Sequence, residues 1–83
     1  METERVVFRV WNHGHGKGDV IALFPDIDAG SGLCQSYEHV GQHGGADYQV
    51  VLKRTRLATV AEYADLKHEL EERGYVLHSV KRA

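Results

Sequence analysis

The sequence predicts an α+β protein with a mostly antiparallel sheet, in the order β-β-β-β-α-β, and with one helix packed on one face. Two observations support this class. Short apolar segments separated by glycine-rich turns come first in the chain, and one capped amphipathic segment follows them. The chain has 83 residues, which is enough for a single domain over 1–83 but only for a thin core.

The first strand is predicted over residues 5–11. Its side chains alternate between two faces, and Val6, Phe8 and Val10 share one of them. We expect this face to lie in the core. Residues 12–18 follow, and their glycine at every second position from 14 to 18 is typical of a flexible connection.

The second strand is predicted over residues 19–24, a largely apolar run. Such a run is typical of a central strand that is covered on both faces. Pro25 has no amide hydrogen for a sheet ladder, so we expect the strand to end there. Residues 26–32 have the composition of a turn.

The third strand is predicted over residues 33–40. It carries polar side chains on both faces, which is typical of an edge strand or of a functional one. Residues 41–46 are rich in glycine and are predicted to bend. Residues 48–54 are predicted as the fourth strand. Its inward side chains would be Tyr48, Val50 and Leu52.

The helix is predicted over residues 60–73. Thr59 and Glu62 match a capping box, in which each side chain accepts a hydrogen bond from the backbone amide of the other. Gly74 matches the left-handed residue of a Schellman termination. A closing strand is predicted over residues 75–81, and it pairs in parallel if the two strands that flank the helix are neighbours. The core-facing stripe of the helix is Val60, Tyr63, Leu66 and Leu70.

One helix covers only one face of the predicted sheet. An apolar surface left on the other face is typical of a partner site. We therefore predict a homodimer, formed either by placing sheet on sheet or by pairing exposed edge strands. The side chains expected to be exposed there, in full or in part, are Val7, Trp11, Val20, Ala22 and Phe24.

Composition excludes several classes of partner. The formal net charge is −2, so we expect no general attraction to nucleic acid or to an anionic membrane. The basic cluster of Lys53, Arg54 and Arg56 keeps a weak nucleic-acid-binding module as an alternative. No apolar run approaches the roughly 20 residues of a spanning helix, and the acidic N-terminus does not resemble a signal peptide. Because Cys34 is the only cysteine, we expect a cytoplasmic protein without disulfides.

Residues 36–48 form the chemically densest segment, around a glycine-rich bend. We predict that it is a polar binding loop. A plainer interpretation is a glycine-rich hairpin turn whose polar side chains satisfy backbone groups. The candidate binding residues are Ser36, Tyr37, Glu38, His39, Gln42, His43 and Asp47.

Two further functions stay open for this segment. Cys34, His39 and His43 have the spacing C-x4-H-x3-H, which offers zinc ligands but lacks the paired cysteines that usually open a structural zinc motif. His39, His43 or Glu38 could also serve as the acid–base group of a small histidine-dependent enzyme, acting on a neighbouring hydroxyl. The sequence contains no full triad signature, so we favour a non-catalytic role without a cofactor and keep zinc as the alternative.

Three segments resemble a group of short uncharacterised bacterial and phage-associated proteins. They are residues 19–25, 36–44 and 69–75. The resemblance covers most of the chain and implies a bacterial cytoplasmic setting, but it supplies no functional residues. We therefore predict a small non-catalytic binding module that acts as a homodimer through the polar segment 36–48.

Overall fold

The computed structural model describes residues 3–12, 18–38 and 42–81. It confirms the α+β class and the mostly antiparallel sheet, and it adds a short helix and a strand before the capped helix. Within the described residues, no helix has the length and apolar character needed to cross a membrane. In chain order the elements are β1 (Glu4–Trp11), β2 (Val20–Gly30), β3 (Leu33–Glu38), β4 (Gln42–Ala46), α1 (Tyr48–Arg54), β5 (Thr55–Leu57), α2 (Val60–Glu72) and β6 (Leu77–Ser79).

In the described part of the chain, the sheet has the strand order β4-β3-β2-β1-β5, and β6 also pairs with β1. β5 pairs antiparallel with the C-terminal end of β1, whereas β6 pairs parallel with its N-terminal end. The amide of Ala58 donates to the carbonyl of Phe8, and the amide of Val80 donates to the carbonyl of Val6. Alternate carbonyls of a strand point to the same edge, so β5 and β6 lie end to end along one edge of β1. The strands that flank α2 therefore both pair with β1.

α2 covers one face of the sheet. The prediction that Val6, Phe8 and Val10 face the core is confirmed. The ring of Tyr63 stacks on the ring of Phe8, with centroids 4.3 Å apart. Val60 departs from the predicted stripe, because this first residue of α2 is 68% exposed. The buried side chains on this face form one cluster, here called the α2 cluster, which consists of Val6, Phe8, Val10, Ala22, Phe24, Tyr37, Ala58, Leu66 and Leu70.

α1 lies on the opposite face, which the sequence predicts to be exposed. Val7 is fully buried there, so the prediction of an exposed apolar face is wrong. Ala22 and Phe24, predicted on that face, lie in the α2 cluster and are fully buried. The burial of these side chains therefore removes the argument for a homodimer from an exposed apolar face. The buried side chains of the α1 cluster are Val7, Ile21, Leu23, Cys34, Ala46 and Val51.

Residues 48–54 form α1, so the predicted fourth strand at this position is wrong. Asp47 is the N-cap, and its carboxylate accepts a hydrogen bond from the amide of Val50 at 3.2 Å. A helix rotates successive side chains by about 100° instead of alternating them. Val51 is therefore buried, whereas Val50 is 43% exposed. The fourth strand is β4, which lies where the sequence predicts a bend.

β2 continues through Pro25, so the predicted end of the strand at this proline is wrong. The ladder between β2 and β3 shifts register between Phe24 and Asp28. Such an irregularity is a place where a sheet tolerates proline, because the ladder is already interrupted there. The turn predicted over 26–32 is confined to residues 31–32.

α2 begins and ends as the sequence predicts. The hydroxyl of Thr59 accepts from the amide of Glu62, and the carboxylate of Glu62 accepts from the amide of Thr59 at 2.9 Å. At the other end, Gly74 has a φ of 99°. The amide of Tyr75 donates to the carbonyl of Leu70 at 3.2 Å. The capping box and the Schellman termination are both confirmed.

Candidate functional site

Strand alternation divides the predicted site residues between the two faces of the sheet. Ser36 and Glu38 lie on the α1 face, whereas Tyr37 lies on the α2 face and is fully buried. The hydroxyl of Tyr37 donates to the carboxylate of Glu69, and the guanidinium of Arg73 lies 5.5 Å from the centroid of its ring. Tyr37 therefore joins β3 to α2 and does not share a surface with Ser36.

Ser36 connects the two strands of the β3–β4 hairpin. It is 6% exposed, and its hydroxyl donates to the carbonyl of Gly44 at 2.8 Å. The same two residues are partners in the β3–β4 ladder. Because this hydroxyl is used within the hairpin, the geometry gives no support to Ser36 as a reacting nucleophile.

Three of the predicted site residues lie wholly or partly outside the described part of the chain. His39 lies outside it entirely. The backbones of Gln42 and His43 belong to β4 and pair with Glu38 and Tyr37, but their side chains lie outside the described part. The zinc site and the histidine-dependent enzyme both require these imidazoles, so both stay predictions.

A cleft of about 440 Å³ opens on the α1 face of the sheet, beside β4. Its volume falls within the roughly 300–1,000 Å³ of small-ligand sites. It brings together three of the predicted site residues, Ser36, Glu38 and Asp47, and adds side chains from β1, β2 and α1. The residues that line it are Trp11, Ile21, Ser36, Glu38, Gly44, Gly45, Ala46, Asp47 and Val51.

Sequence reasoning missed the apolar wall of this cleft, which consists of Trp11, Ile21 and Val51. The alternation of β1 places Trp11 on the same face as Val7, and this signal was available in the sequence. The sequence does not show which element covers that face. It predicts a strand where α1 lies, so it does not indicate that Val51 belongs to the cluster against which Trp11 packs.

The two glycines of β4 differ in how much room the fold leaves for a side chain. A Cβ on Gly45 would lie 3.0 Å from Cδ1 of Leu33, so close packing disfavours a side chain there. A Cβ on Gly44 would have its nearest contact with Oγ of Ser36 at 3.9 Å, which is an ordinary distance. The φ of Gly44 also lies outside the left-handed region that favours glycine. Neither packing nor backbone conformation therefore requires glycine at position 44.

The cleft carries negative charge from two carboxylates. Glu38 is half-buried at the end of β3, and Asp47 is exposed at the start of α1. No Lys, Arg or His is among the described residues that line it. Among the described lining residues, no basic side chain therefore compensates this negative charge.

The surroundings of Cys34 do not favour a metal or nucleophilic thiolate. Cys34 is 8% exposed in the α1 cluster, and burial raises the pKa of its thiol. Zinc binding and nucleophilic attack both need the thiolate, which a raised pKa makes scarcer. In the described ranges, no group of three or more His, Cys, Asp and Glu side chains could hold a metal ion.

An ion pair divides the predicted basic cluster. The guanidinium of Arg56 donates to the carboxylate of Glu62, with Nη1 and Oε1 2.8 Å apart. This hydrogen bond is the largest cause that raises the pKa of Arg56 and lowers the pKa of Glu62 to about 2. Because the guanidinium of Arg56 is paired with Glu62, the alternative of nucleic-acid binding depends on Lys53 and Arg54. Both are exposed in the last turn of α1.

Comparisons with protein-family models, with curated proteins and with solved structures found no match to this chain. They transfer no family and no site residue to it. The function proposed below therefore depends on the geometry of the sheet and of the cleft.

Proposed function

We propose that this chain is a non-catalytic binding module that acts as a homodimer, in which β4 of one copy pairs with β4 of the second. β4 is the last strand on its side of the sheet, and β3 is its pairing partner among the described strands. An edge strand presents backbone donors and acceptors that another strand can bind. This open edge is the observation that carries the proposal.

β4 lacks the features that usually protect an edge strand. Proteins blunt their edges with charged side chains, with proline or with very short strands. β4 has five residues and contains no Lys, Arg, Asp, Glu or Pro. The other edge of the sheet differs, because β5 and β6 have three residues each. β4 is therefore the edge that a second strand can approach with the least obstruction.

Two copies of β4 complement each other in antiparallel orientation. Gly44 is the midpoint of Gln42–Ala46. A two-fold axis at this point would place each Gly44 opposite its counterpart and would overlap the two strands completely. Neither strand contains Lys, Arg, Asp or Glu, and this register would place His43 opposite Gly45, so no like charges would face each other. In this arrangement the polar segment 36–48 supplies the contact between subunits.

The proposal also places the protein in the cytoplasm, which the free thiol of Cys34 supports. The alternative functions have separate tests. Stoichiometric zinc in elemental analysis of the native protein would favour the metal site. Retention on heparin that is lost at moderate salt would favour nucleic-acid binding, because phosphate contacts depend strongly on salt.

A charge-exchange experiment tests the homodimer. Gly44→Glu and Gly44→Lys each place like charges beside the two-fold axis, and position 44 has room for a side chain. We expect the unmodified protein to sediment as a dimer at micromolar concentration, each variant alone as a monomer, and an equimolar mixture of the two variants as a dimer. Gly44→Ala is the matched control, because it adds a side chain without charge and should stay dimeric.

Two results would overturn the homodimer. One is an unmodified protein that sediments as a monomer. The other is a dimer that both charged variants retain, because this result places the contact away from β4. Circular dichroism of each variant checks that the loss of the dimer is not a loss of the fold.

A further inference from the structure

The cleft beside β4 combines an apolar wall with two carboxylates. Trp11, Ile21 and Val51 form the wall, and Glu38 and Asp47 supply the carboxylates. Trp11 is half-buried and lines the cleft. An indole face packs against an apolar stem, and carboxylates accept charge-assisted hydrogen bonds from the N–H groups of a cation. The lining therefore favours an organic cation with an apolar body.

Gly44 keeps part of this cleft open. A Cβ at this position would fit the fold, at 3.9 Å from Oγ of Ser36, on a residue that lines the cleft. A glycine that neither packing nor backbone conformation requires is typical of a place where another group approaches closely. This observation is independent of the charge of the cleft.

We propose that the cleft binds the side chain of an arginine or lysine that a partner protein presents, with its methylene stem against Trp11 and Val51 and its charged end between Glu38 and Asp47. The inference rests on the proposed function in one respect, because it names the chemistry of the ligand that the binding module takes. Arginine and lysine have this shape, an apolar stem that ends in a cation. A free alkylguanidine or alkylamine shares the chemistry, and the experiment separates it from a peptide.

Asp47 can bind a cation while it caps α1. Its Oδ1 accepts from the amide of Val50 at 3.2 Å. A carboxylate has two oxygens with about four acceptor positions, so the cap leaves acceptors for a ligand. Asp47→Asn removes the charge but keeps the cap, because asparagine is as good an N-cap residue as aspartate.

A second acidic cleft provides the control. It has a volume of about 370 Å³, and its carboxylates belong to Asp19, Glu38, Glu62 and Asp65. No aromatic residue is among the described residues that line it, and Glu62 is already paired with Arg56. Asp65→Asn therefore removes a carboxylate from a neighbouring cleft without changing the proposed site.

Trp11 is the only tryptophan of the chain, so tryptophan fluorescence reports on the cleft directly. The probes are N-acetylarginine amide, an arginine peptide flanked by glycines, and N-acetylcitrulline amide, which has the shape of arginine without its charge. We expect a saturable change with both arginine probes and none with the citrulline probe. Glu38→Gln and Asp47→Asn should each weaken binding about tenfold or more, because each removes a charge-assisted hydrogen bond. Asp65→Asn should leave the affinity unchanged.

Other results overturn the inference. An equal response to the citrulline probe would mean apolar binding without recognition of the cation. Binding that survives Glu38→Gln and Asp47→Asn would place the cation elsewhere, and the absence of a saturable response to either arginine probe would remove the site. A response to the free derivative but not to the peptide would overturn the protein partner in favour of a small molecule. Sedimentation of the same samples reports the dimer separately, so failure of the homodimer and failure of the cleft are distinguishable.

Discussion

The two helices lie on opposite faces of one sheet, but their ends are stabilised in different ways. α2 has 13 residues, and neighbouring residues in the chain supply hydrogen bonds to the free backbone groups at both of its ends. α1 has seven residues, which is too short for a helix to be stable by propensity alone. At its C-terminal end, the carbonyls of Leu52 and of the C-cap residue Thr55 accept hydrogen bonds from the side chain of Arg9 in β1. Neighbouring residues thus stabilise both ends of α2, whereas α1 has a local N-cap in Asp47 but a C-terminal end that bonds to a strand remote in sequence.

Arg9 closes the C-terminal end of α1. Its guanidinium donates to the carbonyls of Leu52 at 3.3 Å and Thr55 at 2.8 Å. The hydroxyl of Thr55 accepts from Nε of Arg9 and donates to the carbonyl of Val51 at 2.7 Å. Together these bonds satisfy carbonyls that the end of a helix leaves without intrahelical partners.

Leu70→Ala and Val51→Ala compare how firmly the two helices pack, and we expect the largest effects from them. Leu70 is fully buried beneath α2, so its truncation should lower the free energy of unfolding by about 2–5 kcal/mol. Val51 is 6% exposed beneath α1 and loses one carbon fewer, so we expect a smaller loss of about 1–3 kcal/mol. Urea unfolding followed by the fluorescence of Trp11 measures both. Equal losses would mean that α1 is packed as firmly as α2.

Arg9→Met tests whether α1 depends on β1. It leaves the carbonyls of Leu52 and Thr55 without this donor, and we expect a loss of about 1–3 kcal/mol in the free energy of unfolding. Arg5→Met is the matched control, because this second arginine of β1 makes an exposed ion pair with Asp26 that contributes less. Hydrogen exchange of the α1 amides should accelerate in Arg9→Met but not in Arg5→Met. If the two variants behave alike, Arg9 is not the residue that holds α1.

The same contrast explains which parts of the fold the sequence predicts. The ends of α2 are predictable because the capping residues, the apolar stripe and Gly74 all lie within or beside the helix. For α1 the local signals conflict, since Asp47 favours a helix start whereas Val50 and Val51 favour a strand. Tertiary contacts stabilise the helix here, such as the hydrogen bond from Arg9, which is 43 residues before Leu52 in the chain, and the burial of Val51. A contact between residues so far apart produces no recognisable pattern in the local sequence.

The candidate site is predictable in part for the same reason. Segment 36–48 supplies Glu38 and Asp47 to the cleft, and its polar composition is visible in the sequence. Strand alternation separates Tyr37 from Glu38, but which of the two faces α2 covers depends on the tertiary fold. Trp11 enters the cleft only because the tertiary fold brings β1, β4 and α1 together.

Thr59→Ala measures the contribution of the local cap of α2. It removes the hydroxyl that accepts from the amide of Glu62, and we expect a loss of about 1 kcal/mol in the free energy of unfolding. Thr59→Ser keeps the hydroxyl and is the control. Asp47→Ala, the corresponding change in α1, should cost no more than Thr59→Ala, because α1 has fewer turns to lose. Equal losses in Thr59→Ser and Thr59→Ala, measured by thermal unfolding, would assign the effect to the methyl group instead of the hydroxyl.

The smallest effect concerns Glu62, which joins the capping box of α2 to Arg56 of β5. The hydrogen bond from Arg56 is the largest cause that lowers the pKa of Glu62 from 4.5 to about 2. A carboxylate whose pKa is lower in the folded protein stabilises it above the unfolded-state pKa and loses that contribution as the pH falls towards the folded-state pKa. The difference in stability between the unmodified protein and Glu62→Gln should therefore be constant near neutral pH and shrink between pH 4.5 and about pH 2. Arg56→Met should remove most of this pH dependence, and a difference that persists unchanged into acid would show that Glu62 acts through something other than its charge.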